Sequence, residues 1–129
     1  MRVGIIGSQT YEDKRKIRDM IFKLKQQFGE DLTIVSAGNK SGADRYARKY
    51  AIELDCKYIE FNPAHTVRNL YSALHAAYYG KEYNVKYFFH SNKMLAGYVD
   101  YLIGCGNSNA TSYTINAARK KGKKVVIMT

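Results

Sequence analysis

Two apolar runs that end in glycine and small polar residues constrain the fold of this chain most strongly. The first run begins at Val3 and ends in Gly7-Ser8-Gln9, and the second begins at Ile34 and ends in Ser36-Ala37-Gly38. A helical pattern follows each run. Small residues let the backbone approach a ligand closely, and the first N–H groups of a helix lack intrahelical partners and carry partial positive charge. Both turns therefore predict strand ends that hold the phosphate of a nucleotide-sized ligand.

The rest of the chain continues this alternation of buried strands and amphipathic helices. Continuous apolar runs rich in β-branched residues predict strands, and apolar residues at helical spacing predict helices. Such alternation is typical of a parallel sheet with right-handed crossovers. We therefore predict an α/β, Rossmann-like three-layer sandwich with about five parallel strands and helices on both faces. The predicted strands cover residues 2–7, 32–36, 57–61, 99–103 and 124–128, and the predicted helices cover residues 13–28, 43–54, 67–79, 85–96 and 108–121.

The segment 64–97 departs from the simple alternation and predicts an enlarged helical insertion. It is rich in aromatic residues, including Tyr78-Tyr79, Tyr83 and Tyr87-Phe88-Phe89. These residues fit either a lid or subunit contact, because exposed aromatic patches mark interfaces, or a platform for base stacking. At 129 residues, the whole chain (1–129) is expected to form one domain.

Composition limits the classes of protein to consider. With 46% hydrophobic and 25% charged residues, the chain is typical of an ordinary folded protein. No apolar run approaches the roughly 20 residues that span a bilayer, and the apolar start is too short for a signal peptide. We therefore expect a cytoplasmic protein without membrane contact. Cys56, Cys105, His65, His75 and His90 show no metal or redox spacing, so no metal or cofactor is expected.

The net charge of +10 permits two interpretations. Most of the lysines and arginines lie in or beside predicted helices, for example in 14–16 and 119–124, where a solvated surface is expected. An excess this large also makes a polyanion a suitable partner, whether a nucleotide or a nucleic acid.

The predicted sheet brings four turns to one edge, because every strand-to-helix turn of a parallel sheet opens on the same side. The fourth turn, 104–111, resembles an anion nest that leads into a helix capped by Ser108 or Asn109. No Walker loop or full dinucleotide motif is present, which argues against an ATPase and an NAD dehydrogenase. The predicted ligand-binding residues in these turns are Gly7, Ser8, Gln9, Gly38, Lys40, Gly42, Asp44, Ser108 and Thr111.

Candidates for catalysis are few. Asp13 and Asp44 begin predicted helices, where a carboxylate stabilises the positive helix end, so capping is their simplest role. Asp44 could instead hold a ribose hydroxyl, and Asp100 could close the fourth strand. No Ser-His-Asp or Cys-His set stands out in the sequence.

Four segments of the chain match, in order and spacing, the motifs of one group of Rossmann-like domains. They are Gly7-Ser8-Gln9 with Asp13, Ser36-Ala37-Gly38 with Gly42-Ala43-Asp44, Asn92 with Asp100, and Ser108 with Thr111, Ile115, Ala118 and Gly122. Through them the chain resembles the SLOG superfamily, and specifically its small YspA-like branch. The resemblance adds Asn92 to the expected ligand-binding residues. It also implies a homodimer or higher homo-oligomer.

Departures from the family pattern bear on activity. Gln9, Ser91 and Ala110 stand where the branch has Arg, Arg and Gly. Relatives that resemble the Lonely guy phosphoribohydrolases carry a catalytic Glu where this chain has Tyr113 and Thr114. An oxocarbenium-like transition state would lose several kcal/mol of stabilisation without that carboxylate. Cleavage of that kind is therefore not expected here.

Three functional hypotheses follow from the residues and the resemblance. The first is a protein that binds a nucleotide or nucleotide derivative without strong intrinsic catalysis. The second is an enzyme that cleaves or transfers an N-ribosidic bond, with Asp44 or Asp100 as the acidic group. The third is a single-stranded nucleic-acid-binding protein, like the related DNA-processing protein A, which would use the basic helices and the tyrosine-rich segment.

Overall fold

The computed structural model describes residues 1–128 and contains one parallel sheet of five strands in the order β3-β2-β1-β4-β5. Consecutive strands are joined by helices, and the strand order reverses between β1 and β4. The strands are β1 (Arg2–Gly7), β2 (Thr33–Ser36), β3 (Lys57–Glu60), β4 (Tyr101–Cys105) and β5 (Lys124–Met128). The helices are α1 (Lys14–Phe28), α2 (Ala43–Glu53), α3 (Val85–Tyr98) and α4 (Asn109–Lys120), with short 3-10 turns at Gly29–Asp31 and Ala76–Tyr78.

The central strands are apolar on both faces because helices cover both. Alternate residues of a strand point to opposite faces. Ile5 accordingly packs with the apolar stripes of α1 and α2, whereas its neighbour Ile6 packs with α3 and α4. Ile34 and Val35 of β2 divide between the two faces in the same way. The continuous apolar runs therefore form two hydrophobic cores, and each helix buries one side against the sheet.

The sequence signals at the helix ends act as expected for α1 and α4. The Asp13 carboxylate accepts a hydrogen bond from the Lys16 amide (3.3 Å) at the start of α1, and Gly29 ends that helix with φ of 59°. At the start of α4, the Ser108 hydroxyl accepts from the Thr111 amide (3.1 Å). These caps satisfy N–H groups that lack an intrahelical partner.

The structure confirms the α/β, Rossmann-like fold with five parallel strands and helices on both faces, but the predicted fourth strand is misplaced. That strand begins at Tyr101 rather than Val99. Val99 instead follows α3, and its amide donates to the Leu95 carbonyl. Val99 is fully buried. A buried apolar residue at this position resembles the start of a strand in the sequence, which explains the wrong boundary.

The predicted helix 67–79 is wrong, and the insertion 64–97 is therefore helical only in α3 and in the short 3-10 turn. Val67 and Leu70 are 84% and 89% exposed, so two of the apolar residues that suggested a helix face solvent. Side chains replace the helical hydrogen bonds, since Asn69 Oδ1 accepts from the Tyr71 amide (2.8 Å). Residues 71–73 also pair with Glu60 at the end of β3.

None of the helices within residues 1–128 is long and apolar enough to cross a membrane.

Candidate functional site

The turns that follow β1, β2 and β4 touch one another at the carboxyl edge of the sheet. The Ser8 amide donates to the Cys105 carbonyl at 3.0 Å, which joins the first turn to the end of β4. The Ala43 amide donates to the Ser8 carbonyl at 3.3 Å, which joins the first turn to the start of α2. The three glycine-bearing turns therefore form one contiguous structure beside the point where the strand order reverses.

Glycine is required in these turns for close packing. Gly42 has a φ of 71°, and a Cβ there would overlap the Ser8 carbonyl oxygen. A Cβ on Gly7 would lie 2.7 Å from that of Ala43. Both glycines thus let two backbones meet, which is a role independent of any ligand.

The contiguous turns enclose a cavity of about 240 Å³, which we call the inner cavity. Its walls come from the turns after β1, β2 and β3, from α3 and from the start of α4. These walls contain no charged side chain. Because the other lining side chains are apolar, the uncharged polar side chains would provide the specific contacts to a ligand. The lining residues are Gly7, Ser8, Gln9, Ala37, Asn39, Pro63, Phe88, Asn92, Ser108 and Ala110.

A second and larger cavity of about 580 Å³, the outer cavity, adjoins the inner one. Its size falls within the range of about 300–1,000 Å³ that is usual for small-molecule sites. Four residues line both cavities, so the two spaces are continuous: Gln9, Asn39, Pro63 and Phe88. The residues that line the outer cavity but not the inner one include Gly38, Lys40, Arg48, Glu60, Asn62, His65 and Asn69.

An aromatic cluster lies at the junction of the two cavities. The Phe88 and His65 rings are in edge contact at 4.8 Å between centroids, and Tyr83 packs on His65 at the same distance. Because Phe88 lines both cavities, a flat ligand that occupies the outer cavity can pack against its ring.

Asp44 is 1% exposed and lines neither cavity. Its Oδ2 accepts a hydrogen bond from the Asn39 side-chain amide (2.5 Å). Burial raises the pKa of Asp44 to about 7. Hydrogen bonds from the Asn39 side chain and from the backbone of Ala37 and Asn39 lower the pKa, and the negative charge of Glu60 raises it. The carboxyl group therefore bonds to Asn39, a residue that lines both cavities.

Asp100 lies at the opposite edge of the sheet. Its carboxylate accepts a hydrogen bond from the Arg2 amide at 2.9 Å, at the amino end of β1. Asp100 immediately precedes β4 and therefore lies at the amino end of that strand, away from the turns that line the cavities. It cannot act together with groups in the inner cavity.

The remaining predicted residues divide between lining the cavities and supporting them. Gly7, Ser8, Gln9, Asn92 and Ser108 line the inner cavity, and Gly38 and Lys40 line the outer one. Gly42 and Thr111 line neither. Thr111 is 4% exposed, and its amide and hydroxyl both bond to Ser108 Oγ, so it belongs to the cap of α4.

Glu60 is a residue of the site that sequence reasoning missed. It is 2% exposed and ends β3. Its oxygens accept hydrogen bonds from Tyr58 (3.0 Å) and Asn69 (2.9 Å), and Oε1 lies 4.0 Å from the Arg48 guanidinium. The sequence held one signal for it, which is a carboxylate inside the apolar run 57–61, just before Asn62-Pro63. An acidic side chain is buried at such a position only when hydrogen-bond or ion-pair partners stabilise it.

The cysteines do not extend the chemistry of the site. Cys105 is fully buried, and burial raises the pKa of its thiol to about 12, so no thiolate nucleophile forms there at neutral pH. Within residues 1–128, no cluster of three or more His, Cys, Asp or Glu side chains could hold a metal ion.

The fold defines a doubly wound Rossmann-type domain, and its inner cavity lies at the reversal of the strand order. Residues 1–66 match the model of the YspA, cpYpsA-related SLOG family, and the chain belongs to that family. A comparison with curated proteins gave no match.

Three solved structures share the fold. The molybdenum cofactor carrier protein from Chlamydomonas reinhardtii is 18% identical with a TM-score of 0.69, and the match covers 98% of this chain and 74% of that protein. The molybdenum cofactor binding protein from Rippkaea orientalis is 18% identical with a TM-score of 0.72, with coverage of 98% and 74%. A structural genomics target is 16% identical with a TM-score of 0.65, with coverage of 96% and 71%.

Proposed function

We propose that this protein binds a nucleotide or a nucleotide-derived molecule, with a phosphate in the inner cavity, and that it has no strong intrinsic catalytic activity. The observation that carries the proposal is the convergence of the turns after β1, β2 and β3 and the start of α4 on one cavity. Helix N-termini and small polar side chains suit the oxygens of a phosphate group.

The electrostatics of the site favour an anion. The side chains that line the inner cavity are uncharged, so a phosphate there meets no repelling carboxylate. Lys40 and Arg48 line the neighbouring outer cavity, and the net charge of +10 attracts anions from solution. The outer cavity then takes the larger, uncharged part of the ligand, against Phe88 and the polar end of β3.

The placement of the acidic residues favours a binding role over catalysis. Asp44 is covered by Asn39, Asp100 lies at the opposite edge, and Glu60 already accepts two hydrogen bonds. Two structures with the same fold are named as a carrier and a binding protein for molybdenum cofactor. This supports a nucleotide-derived cofactor as one candidate ligand and retention, rather than chemical conversion, as the role.

Replacing Ala110 tests the proposal directly. Ala110 is half-buried, lines the inner cavity and lies in the first turn of α4. In Ala110→Asp a carboxylate enters the phosphate position, whereas the same charge at a helix start favours folding. We expect the Kd for nucleoside 5′-monophosphates, measured by calorimetry and by ligand-induced thermal shift, to increase at least about tenfold.

Asn109→Asp is the matched control, because Asn109 is exposed, adjacent in α4 and absent from the cavity lining. This variant adds the same charge to the same helix turn and should bind with nearly the wild-type Kd. If both variants weaken binding equally, or if the wild-type protein binds none of the nucleotides at millimolar concentration, the proposed site is wrong.

A further inference from the structure

One face of α2 carries cationic side chains at helical spacing. Arg45, Arg48, Lys49 and Ile52 follow the i, i+3, i+4, i+7 pattern, so they share one side of the helix. Together with Lys40 they border an open groove of about 610 Å³, which we call the α2 groove. Its remaining lining residues are Gly38, Asn39 and Glu60.

The α2 groove is continuous with the outer cavity. Five residues line both spaces: Gly38, Asn39, Lys40, Arg48 and Glu60. Since Asn39 also lines the inner cavity, a single path leads from the proposed phosphate position through the outer cavity to the cations of α2.

The groove carries an excess of positive charge. Among the described residues that line the groove, Glu60 is the one that carries a carboxylate, and Tyr58 and Asn69 already donate to it. Arg48 is held between Glu60 (4.0 Å) and the face of the Tyr71 ring (5.0 Å to the centroid). Among the described residues, Lys40, Arg45 and Lys49 lie within ion-pair distance of no acidic group. Three cations are therefore available to an anion.

We propose that the ligand is a nucleotide-type molecule with two separated anionic groups, one in the inner cavity and the other in the α2 groove. The inference rests on the proposed function and specifies its ligand class, which includes nucleoside bisphosphates and short dinucleotides. An exposed cation binds a free anion only weakly in water. An anion that is tethered to a body already seated in the outer cavity is held at high effective concentration, so the same cations contribute to affinity.

The test compares nucleosides that carry one or two phosphates. Adenosine 5′-monophosphate, adenosine 5′-diphosphate and adenosine 3′,5′-bisphosphate, and the three guanosine equivalents, are titrated by calorimetry at constant ionic strength. The 5′-diphosphate adds charge at the same end of the ligand, whereas the 3′,5′-bisphosphate adds it at a separate position. We expect the bisphosphate of at least one base to bind about tenfold more tightly than its monophosphate, as one additional charge-assisted contact provides.

Charge-removing variants locate the second anion. Arg45→Gln with Lys49→Gln should abolish the gain of the bisphosphate and leave the Kd of the monophosphate nearly unchanged. Arg119→Gln with Lys120→Gln removes one Arg and one Lys from the exposed last turn of α4 and should preserve the gain.

Each contrary result has a distinct meaning. Equal Kd values for monophosphate and bisphosphate, or a gain that survives Arg45→Gln with Lys49→Gln, overturn this inference and leave the proposed function intact. If the protein binds none of the nucleotides, both this inference and the proposed function are overturned. A single-stranded oligonucleotide that binds more tightly than every small ligand, and loses affinity in the α2 variant, assigns the groove to nucleic acid and overturns the small-ligand class.

Discussion

At the scale of single residues, Asp44 shows how position alters the role of a carboxylate. A carboxylate near a helix start is expected to cap it, yet the N-cap of α2 is Gly42, and no side chain caps this helix. Asp44 instead turns inward, is fully buried and accepts from Asn39. Its sequence position predicted that it lies near the site, but the loss of solvent contact depends on how α2 packs on β1 and β2. That packing is a tertiary effect which a local pattern does not encode.

The raised pKa of Asp44 gives a pH dependence of stability. The pKa of Asp44 is about 7 in the folded protein and near 4 in the unfolded chain. The stability that this carboxyl group contributes is therefore fully present below pH 4 and is lost as the pH rises through 7. The loss amounts to about 4 kcal/mol at most. In urea denaturation between pH 4 and 8, Asp44→Asn should remove much of this decrease.

Asp19→Asn, at an exposed position of α1, serves as the control and should keep the wild-type profile. If Asp44→Asn loses as much stability between pH 4 and 7 as the wild-type protein does, the carboxyl group does not titrate in the way described.

At the scale of elements, sequence reasoning failed most clearly in the segment between β3 and α3, where it predicted a helix. Its apolar residues recur at helical spacing, but a helix needs a partner that covers its apolar face, and no such partner covers Val67 or Leu70. Asparagine side chains instead bond to the local backbone and to a distant tyrosine. Asn62 donates to Thr66 and Val67 and accepts from the Tyr79 hydroxyl (2.7 Å). Asparagine favours such turns over helix because its amide competes for backbone partners.

Removing the Tyr79 hydroxyl tests this description of the segment. Tyr79→Phe leaves Asn62 Oδ1, in a residue that is 2% exposed, without its donor, which should cost about 1 kcal/mol. Hydrogen exchange in residues 62–79 should increase, while that of α1 stays unchanged. Tyr83→Phe, at a residue 71% exposed, is the control. An unchanged exchange rate in Tyr79→Phe would show that the Tyr79 to Asn62 bond does not hold the segment.

At the scale of the whole molecule, general topology made the fold and part of the site predictable. Buried strands and amphipathic helices leave a strong periodic signal, and parallel strands bring their carboxyl ends to one edge. Residues at those ends, such as Ser8 and Ser108, could therefore be placed near the site from sequence. Phe88 could not, since it enters from α3. Glu60 was missed although its carboxylate interrupts an apolar run, because the run predicts an ordinary strand.

The central claim is that one cavity at the carboxyl edge binds the phosphate of a nucleotide, and an amide NMR titration with adenosine 5′-monophosphate tests it most directly. The protein has a mass of 14.7 kDa, which suits residue-by-residue observation. Binding in the inner cavity should produce saturable shifts at the amides of Ser8, Gln9, Asn39 and Ala110, and these shifts should persist at about 0.3 M salt. Shifts that are largest along the basic segment 119–124, or that vanish as salt is added, would contradict it.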